Sequence, residues 1–473
     1  MPNTYFYINL ISLFIFSFTY KMNKERMQLI DDTIESLVKQ ARLKNVGFII
    51  TNSTTTLFQK IYGESDKTDV KTTPFIIGSI TKSFTALSIL KLNISLNQTL
   101  DKFDLGDYID EKFAKKTTIS ELLNHTSGLD RSSSKDIGTK GKFNYSNYGY
   151  ALLGKIIENV SKKKYSEFIQ ENIFTPLKMT HSHAKYDKNI IDSYDNFFGF
   201  TTKYNGLKSE IGDGFYIPAG YISVSIEDMG QYLRFYLDPK NNETYISKIV
   251  NESVEMEDYN SYYGMGMGII KNDIYKVYEH NGVTQTFLSF MYIYPELNIA
   301  YFIVTNTVDI FCASSLLSLA VSIENLIVFG SLNSIYDPSF FSVHFTIDII
   351  ILFIIAFPLT YLIITIVRKI KRKKYMWFIG KKGKIIFAID IILLLILPLI
   401  LIIIFYADPN MTFYHSIKDI LFCLFMFCSC LILNFLLKLI YIFIFNKYCK
   451  DHEDNREETE KTDLKLLEEN IVN

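Results

Sequence analysis

The chain has 473 residues, 48% of them hydrophobic, and its 49 Lys and Arg balance 50 Asp and Glu. That length allows a large core and more than one domain, and the near-neutral charge gives no reason to expect a nucleic-acid partner. All five cysteines (Cys312, Cys423, Cys428, Cys430, Cys449) lie beyond residue 311, which excludes a disulfide framework, a thiolate metal site and a thiol nucleophile from everything before them.

In chain order, the first element is the apolar run YFYINLISLFIFSFTY (5–20), so residues 1–21 read as a signal peptide or N-terminal anchor. Residues 24–43 place Met27, Ile30, Ile34, Leu37, Val38 and Ala41 at helical spacing, a stripe suited to packing on a sheet. The β-rich runs VGFIIT (46–51) and TLFQKIY (56–62), joined by NSTT, predict a hairpin. A long middle follows, with helical apolar patterns over 82–92 and 148–160. Then YKVYEH (275–280), TFLSFMYIY (286–294) and IAYFIVTN (299–306), separated by turns at Asn281-Gly282 and 295–298, predict three strands, and 313–329 a closing helix. Together these describe an α+β domain over residues 22–338. One antiparallel β-sheet, with strands from both ends of the domain, is flanked by helices and carries an inserted all-helical lobe. The cleft between lobe and sheet is where a site belongs.

Beyond residue 338 the character changes. Segments 346–367, 385–406 and 417–445 each exceed the ~20 apolar residues a helix needs to cross a bilayer, which predicts a membrane domain (339–450) of three transmembrane helices. Three of the cysteines fall in the last of them, where small polarizable side chains pack among helices. Between the first two lies RKIKRKKYMWFIGKKGK (368–384), cytoplasmic by the positive-inside rule. Parity then puts residues 22–338 outside the cell and the charged tail, 451–473, inside.

A serine hydrolase lacking a His-Asp pair can use a lysine one helical turn away as base, because residues i and i+3 share a helix face. Ser79 and Lys82, in GSITKS, form such a pair, and so by spacing do Ser132–Lys135 and Ser161–Lys164. Context separates them: Ser79 follows the apolar PFIIG and opens a helix, where the dipole favours developing negative charge. Tyr145-Ser146-Asn147 supplies a phenol to relay a proton and an amide to orient a substrate, although Tyr194-Asp195-Asn196 matches the same spacing. His280-Asn281-Gly282 is the one His-x-Gly of the chain, and a glycine there lets a substrate backbone approach a strand edge. His125 reads as a packed or capping histidine.

GSITKS, YSN and HNG, in that order, with LLNHTSGL (122–129), YGYALLGKII and PAGYISVS (218–225), resemble the penicillin-binding protein 4-star, class C β-lactamase and D-aminopeptidase-like family over residues 27–330. The resemblance implies that Ser79 is the acylated nucleophile, that Lys82 and Tyr145 share proton transfer, and that Asn147 holds the substrate amide. It further implies that His280 and Gly282 flank the pocket and that the backbone N–H groups of Ser79 and Val283 form an oxyanion hole. HNG stands where β-lactamases of this family carry Lys-Thr-Gly, which implies an esterase, D-aminopeptidase, D-alanyl carboxypeptidase or weak β-lactamase. Neutral imidazole anchors a substrate carboxylate less firmly than ammonium does. The expected substrate is a D-amino-acid peptide or ester derived from peptidoglycan or teichoic acid. The lipid bilayer is the expected partner, with neither cofactor nor metal. The alternative is a non-hydrolytic receptor for β-lactams or cell-wall fragments.

Overall fold

The computed structural model describes residues 23–63, 68–197, 200–256, 260–271, 275–308 and 310–330, with scattered residues from 349 onward. The chain divides into two compact units, Met1–Val343 and His344–Asn473. The apolar segment at 5–20 and the loop at 368–384 lie outside the described residues, as does about half of the three segments read as spans. No helix among the described residues is long and apolar enough to cross a membrane.

The first unit is built on an eight-stranded sheet in the order β2-β1-β12-β11-β10-β9-β8-β7. Its strands are β1 (Asn45–Thr51), β2 (Thr56–Gly63), β7 (Val254–Glu255), β8 (Ser261–Gly264), β9 (Met267–Lys271), β10 (Lys276–Val283), β11 (Leu288–Tyr294) and β12 (Ile299–Thr305). Every neighbouring pair is antiparallel, and β1 joins the two ends of the domain, Phe48 standing opposite both Lys60 and Ile303. The central strands are apolar at successive positions because both faces are covered. Val46, Phe48, Ile50, Phe290, Tyr301 and Ile303 pack under two terminal helices, Lys24–Gln40 and Ile310–Phe329. Ile49, Met291, Phe302 and Val304 face the opposite way, toward Met229 and Leu233 of helix Ile226–Leu237. Each such aliphatic or aromatic side chain, once fully buried, contributes roughly 1.5–3 kcal/mol.

The sequence expectations differ from this fold in three places. The Asn281-Gly282 pair is not a turn: both residues lie inside β10, opposite Phe290 and Ser289, and the chain reverses at Thr284, whose N–H donates to Phe287 O (2.9 Å). Strands β7 to β9 extend the sheet, β7 being two residues long and β8 and β9 joined through YYGMGMG, whose glycines and methionines carry no β-branched alternation. The inserted lobe is not all-helical, since it holds β3 (Phe75–Ile76) paired to β6 (Ser223–Val224), and β4 (Ser193–Phe197) paired to β5 (Phe200–Tyr204), with β13 (Thr307–Val308), from beyond β12, pairing in parallel on β4.

At the heart of the first unit runs helix Thr81–Lys91, buried from Thr81 through Ile89. A helix enclosed on every side must satisfy its polar side chains internally. Ser83 Oγ donates to Ile80 O (2.8 Å), Ser88 Oγ to Phe84 O (2.8 Å) and Thr85 Oγ1 to Pro218 O (2.7 Å), while Phe84 stacks on Tyr232 at 3.7 Å.

Candidate active site

Strand β3 delivers Ser79 to the start of that helix. Ile77 N–H donates to Ile222 O (3.0 Å), and Gly78 then takes a positive φ of 53°. A Cβ on Gly78 would lie 2.5 Å from Val283 N and 2.7 Å from Gly282 Cα, so only glycine lets the end of β10 close on this turn. The 3₁₀ turn Gly78–Ile80 places Ser79 directly before the helix N-terminus, where the dipole is positive.

Lys82, one turn on, is fully buried. Its Nζ lies 2.6 Å from Ala219 O, 2.7 Å from Asn147 Oδ1 and 3.1 Å from Ser79 Oγ. Burial, and then the charge of Arg131, push its pKa well below the ordinary lysine value. The geometry suits a neutral amine: its two N–H bonds satisfy the Ala219 carbonyl and the Asn147 amide oxygen, and the lone pair remains for the Ser79 hydroxyl. That arrangement can draw a proton from Ser79.

The Tyr145 phenol stands near enough to Ser79 for the hydroxyl to act on it, and the Tyr145 ring centroid lies 4.7 Å from Lys82 Nζ. Burial raises the phenol pKa above its usual value, against the opposing pull of the Ser79 hydroxyl and the Arg131 charge, so the phenol holds its proton. Asn147 opens helix Asn147–Ser161, capped by Ser146, whose Oγ accepts from Gly149 N–H (3.1 Å). His125, at φ 58°, accepts from Ser146 N–H at Nδ1 (3.1 Å) among the rings of Phe143, Tyr145, Tyr150 and Tyr263. It is a packed histidine that holds the Tyr145–Asn147 loop in place.

His280 is 7% exposed, with both ring nitrogens engaged. Nδ1–H donates to Asn281 O (2.7 Å) and Nε2 accepts from the Tyr263 hydroxyl (3.2 Å). Burial, reinforced by Lys82, lowers its pKa to about 3, so the ring is neutral at physiological pH. Gly282 lies against the serine turn: a Cβ there would be 2.0 Å from Ile77 O and 2.3 Å from Ser289 Oγ. The Val283 side chain is 60% exposed, while its N–H sits beside Gly78.

The structure thus brings Ser79, Lys82, Tyr145, Asn147, His280, Gly282 and Val283 to one place. The competing matches lie elsewhere: Lys135 and Lys164 are exposed, and Tyr194 and Asp195 belong to β4, paired with β5 and β13. Three contributors carried no role in the sequence reading, namely the Ala219 carbonyl, the Tyr263 hydroxyl and Arg131. Only PAGY gave a signal, since a buried lysine requires acceptors and that motif supplies one. Among the described residues no group of three or more His, Cys, Asp or Glu is placed to hold a metal ion.

A family model described as Beta-lactamase matches residues 30–312. Protein flp of Staphylococcus aureus (strain NCTC 8325 / PS 47) is 26% identical over 327 residues, covering 60% of this chain and 64% of that protein. Beta-lactamase-like protein 2 of Dictyostelium discoideum is 25% identical over 280 residues, half of each chain. This chain therefore spans between half and just under two thirds of these relatives. Among solved structures, the octameric penicillin-binding protein homologue from Pyrococcus abyssi superposes with a TM-score of 0.54 at 22% identity, over 65% of this chain and 78% of that one. A D-stereospecific amidohydrolase from Streptomyces sp. superposes at 0.51 and 18%, over 64% and 98%. Both share the fold.

Proposed function

The chain belongs to the Beta-lactamase family of serine hydrolases, and on that premise we propose that it is a membrane-anchored enzyme that cleaves D-amino-acid peptides or esters of the cell envelope through an acyl-Ser79 intermediate. The observation that carries this reading is the buried Lys82 amine, held by Ala219 O and Asn147 Oδ1 with Ser79 Oγ at 3.1 Å.

Lys82 takes the Ser79 proton as Oγ attacks the acyl carbonyl, and the N–H groups of Ser79 and Val283 receive the oxyanion. The Tyr145 phenol gives its proton to the leaving group and regains one from Lys82, which returns the amine to its neutral form. Water then attacks the acyl-serine by the reverse proton path and releases the acid. Asn147 orients the substrate amide. Two features favour esters and peptides over β-lactams: the third motif is HNG, and the His280 imidazole is neutral with both nitrogens occupied.

Ser79→Ala in the full-length chain should abolish labelling by a fluorophosphonate, whereas Ser132→Ala and Ser161→Ala should keep it. Full labelling of Ser79→Ala refutes the assignment. A D-alanyl ester should turn over faster than a cephalosporin, and faster cephalosporin turnover overturns the substrate preference. A chain that traps label on Ser79 and turns nothing over is a receptor instead. We place the catalytic domain outside the cell on the charge of the 368–384 loop. Protease added to spheroplasts should therefore digest residues 22–338 and spare the tail after Asn446, and protection of the domain refutes that topology.

A further inference from the structure

We infer that Arg131 is the specificity-determining residue of this site, binding a carboxylate on the leaving-group side of the scissile bond. The inference rests on the acyl-Ser79 reading above and adds to it the class of donor that the site selects. A donor whose leaving group carries a free carboxylate needs a cation close to the reacting atoms, and β10 supplies none. His280 is uncharged, and neither of its nitrogens is available: one donates to Asn281 O and the other accepts from the Tyr263 hydroxyl. Lys82 cannot serve either, because it is enclosed and its amine works on Ser79.

Arg131 enters from the opposite side. Its backbone is tied to the motif loop, since Asn147 N–H (2.7 Å) and Tyr148 N–H (3.2 Å) both donate to Arg131 O. Its guanidinium carbon stands 5.3 Å from the centroid of the Tyr145 ring, and its charge is felt at Lys82, Tyr145 and His125. The side chain is exposed and makes no ion pair among the described residues. The neighbouring Asp130 does not neutralise it: that carboxylate accepts from Ser132 N–H (3.2 Å) and Ser133 Oγ (2.8 Å) within its own loop. Because Tyr145 is the group that protonates the leaving group, a cation on the Tyr145 ring is a cation on the leaving-group side. The planar, permanently charged fork of arginine matches a carboxylate there in a bidentate manner.

The test compares two acyl-D-alanyl thioesters in the full-length chain, one with thioglycolate as leaving group and one with its carboxamide. The readout is the ratio of their kcat/KM values, in which any effect of Arg131 on the basicity of Lys82 cancels. The wild-type chain should prefer the carboxylate by about tenfold or more, the scale of a hydrogen bond to a charged group. Arg131→Gln should bring the ratio near one, Arg131→Glu should invert it, and Arg131→Lys should retain part of it. A wild-type ratio near one, or an Arg131→Gln ratio equal to that of wild type, overturns the inference. Labelling by a neutral fluorophosphonate reports an intact Ser79 in each variant, and if Arg131→Gln loses the label, Arg131→Lys decides. A wild-type chain that neither takes the probe nor cleaves either thioester refutes the acyl-serine reading itself, and the Arg131 inference falls with it.

Discussion

Substituting Gly282 by alanine tests whether the end of β10 is held to the serine turn by close contact. The Gly282 backbone is not in the left-handed region, so alanine meets no conformational penalty and the effect is one of space alone. An added Cβ would lie 2.0 Å from Ile77 O and 2.3 Å from Ser289 Oγ, where ordinary contact begins near 3.4 Å. The Ser289 hydroxyl can rotate, but Ile77 O is backbone and accepts from Ser289 Oγ (2.9 Å), so β10 and the serine turn must part by about 1.4 Å. That exceeds by more than twofold the ~0.5 Å within which reacting groups must be held, and a 1 Å misplacement costs on the order of a hundredfold. Gly282→Ala should therefore lower kcat/KM for a D-alanyl ester by about a hundredfold and slow fluorophosphonate labelling of Ser79 in parallel. The added strain should cost about 1–3 kcal/mol in thermal unfolding. Asn281→Ala, whose exposed side chain points the other way, is the control and should label at the wild-type rate. A folded Gly282→Ala chain with kcat/KM within about threefold of wild type refutes the contact argument.

Lys82→Arg puts a permanent cation where the amine is neutral and has no lone pair to take the Ser79 proton, so turnover of the same ester should fall by about a hundredfold or more; near-normal kcat would show that Lys82 is not the base. Thr85→Val strips a buried hydroxyl that bonds to Pro218 O (2.7 Å) and to the Tyr165 hydroxyl (2.8 Å), and should cost about 1–3 kcal/mol of stability, read as a lowered Tm. Burial, and then Glu324, push the Glu279 carboxyl up to about 7. Between pH ~4.5 and 7 the unfolded chain has therefore lost a proton that the folded chain retains, so this group makes stability fall as pH rises through that window. Glu279→Gln should accordingly match wild type near pH 4.5 and exceed it above pH 7, by at most about 3 kcal/mol, in thermal unfolding across pH; a pH-independent difference refutes the assignment.

The sheet was legible where burial on both faces produced long apolar strands, as in IAYFIVTN, and the first helix where its stripe of Ile30, Ile34 and Leu37 repeated. Asn281-Gly282 was misread because pairing with Phe290 and Ser289 carries the strand past a dipeptide that favours turns, and the chain reverses at Thr284 instead. Strands β7 to β9 escaped for a related reason: their pairing partners, not their residues, make them strands. At the site, Ser79 and Lys82 were legible because the apolar PFIIG and the helical spacing are local. Ala219 and Arg131 were not, since a carbonyl has no residue type and an exposed arginine looks like any other until the Tyr145 ring is found beside it.

The pairing of β1 with β12 also sets an order of events in time. Asn45 N–H donates to Asn306 Oδ1 (2.9 Å) and Thr305 Oγ1 donates to Asn45 O (2.9 Å), so a clasp closes across some 260 residues of chain. A ribosome emits residues 45–91, with the serine and the lysine in them, long before it emits 276–306. Until those last strands arrive, β1 has one bare edge, the Gly78 turn has nothing to close against, and the Val283 N–H does not yet exist in the growing chain. On the proposed reading the site is therefore incomplete until residue 283 has been made, and a chain cut short before it carries Ser79 without the strand that closes on the Gly78 turn.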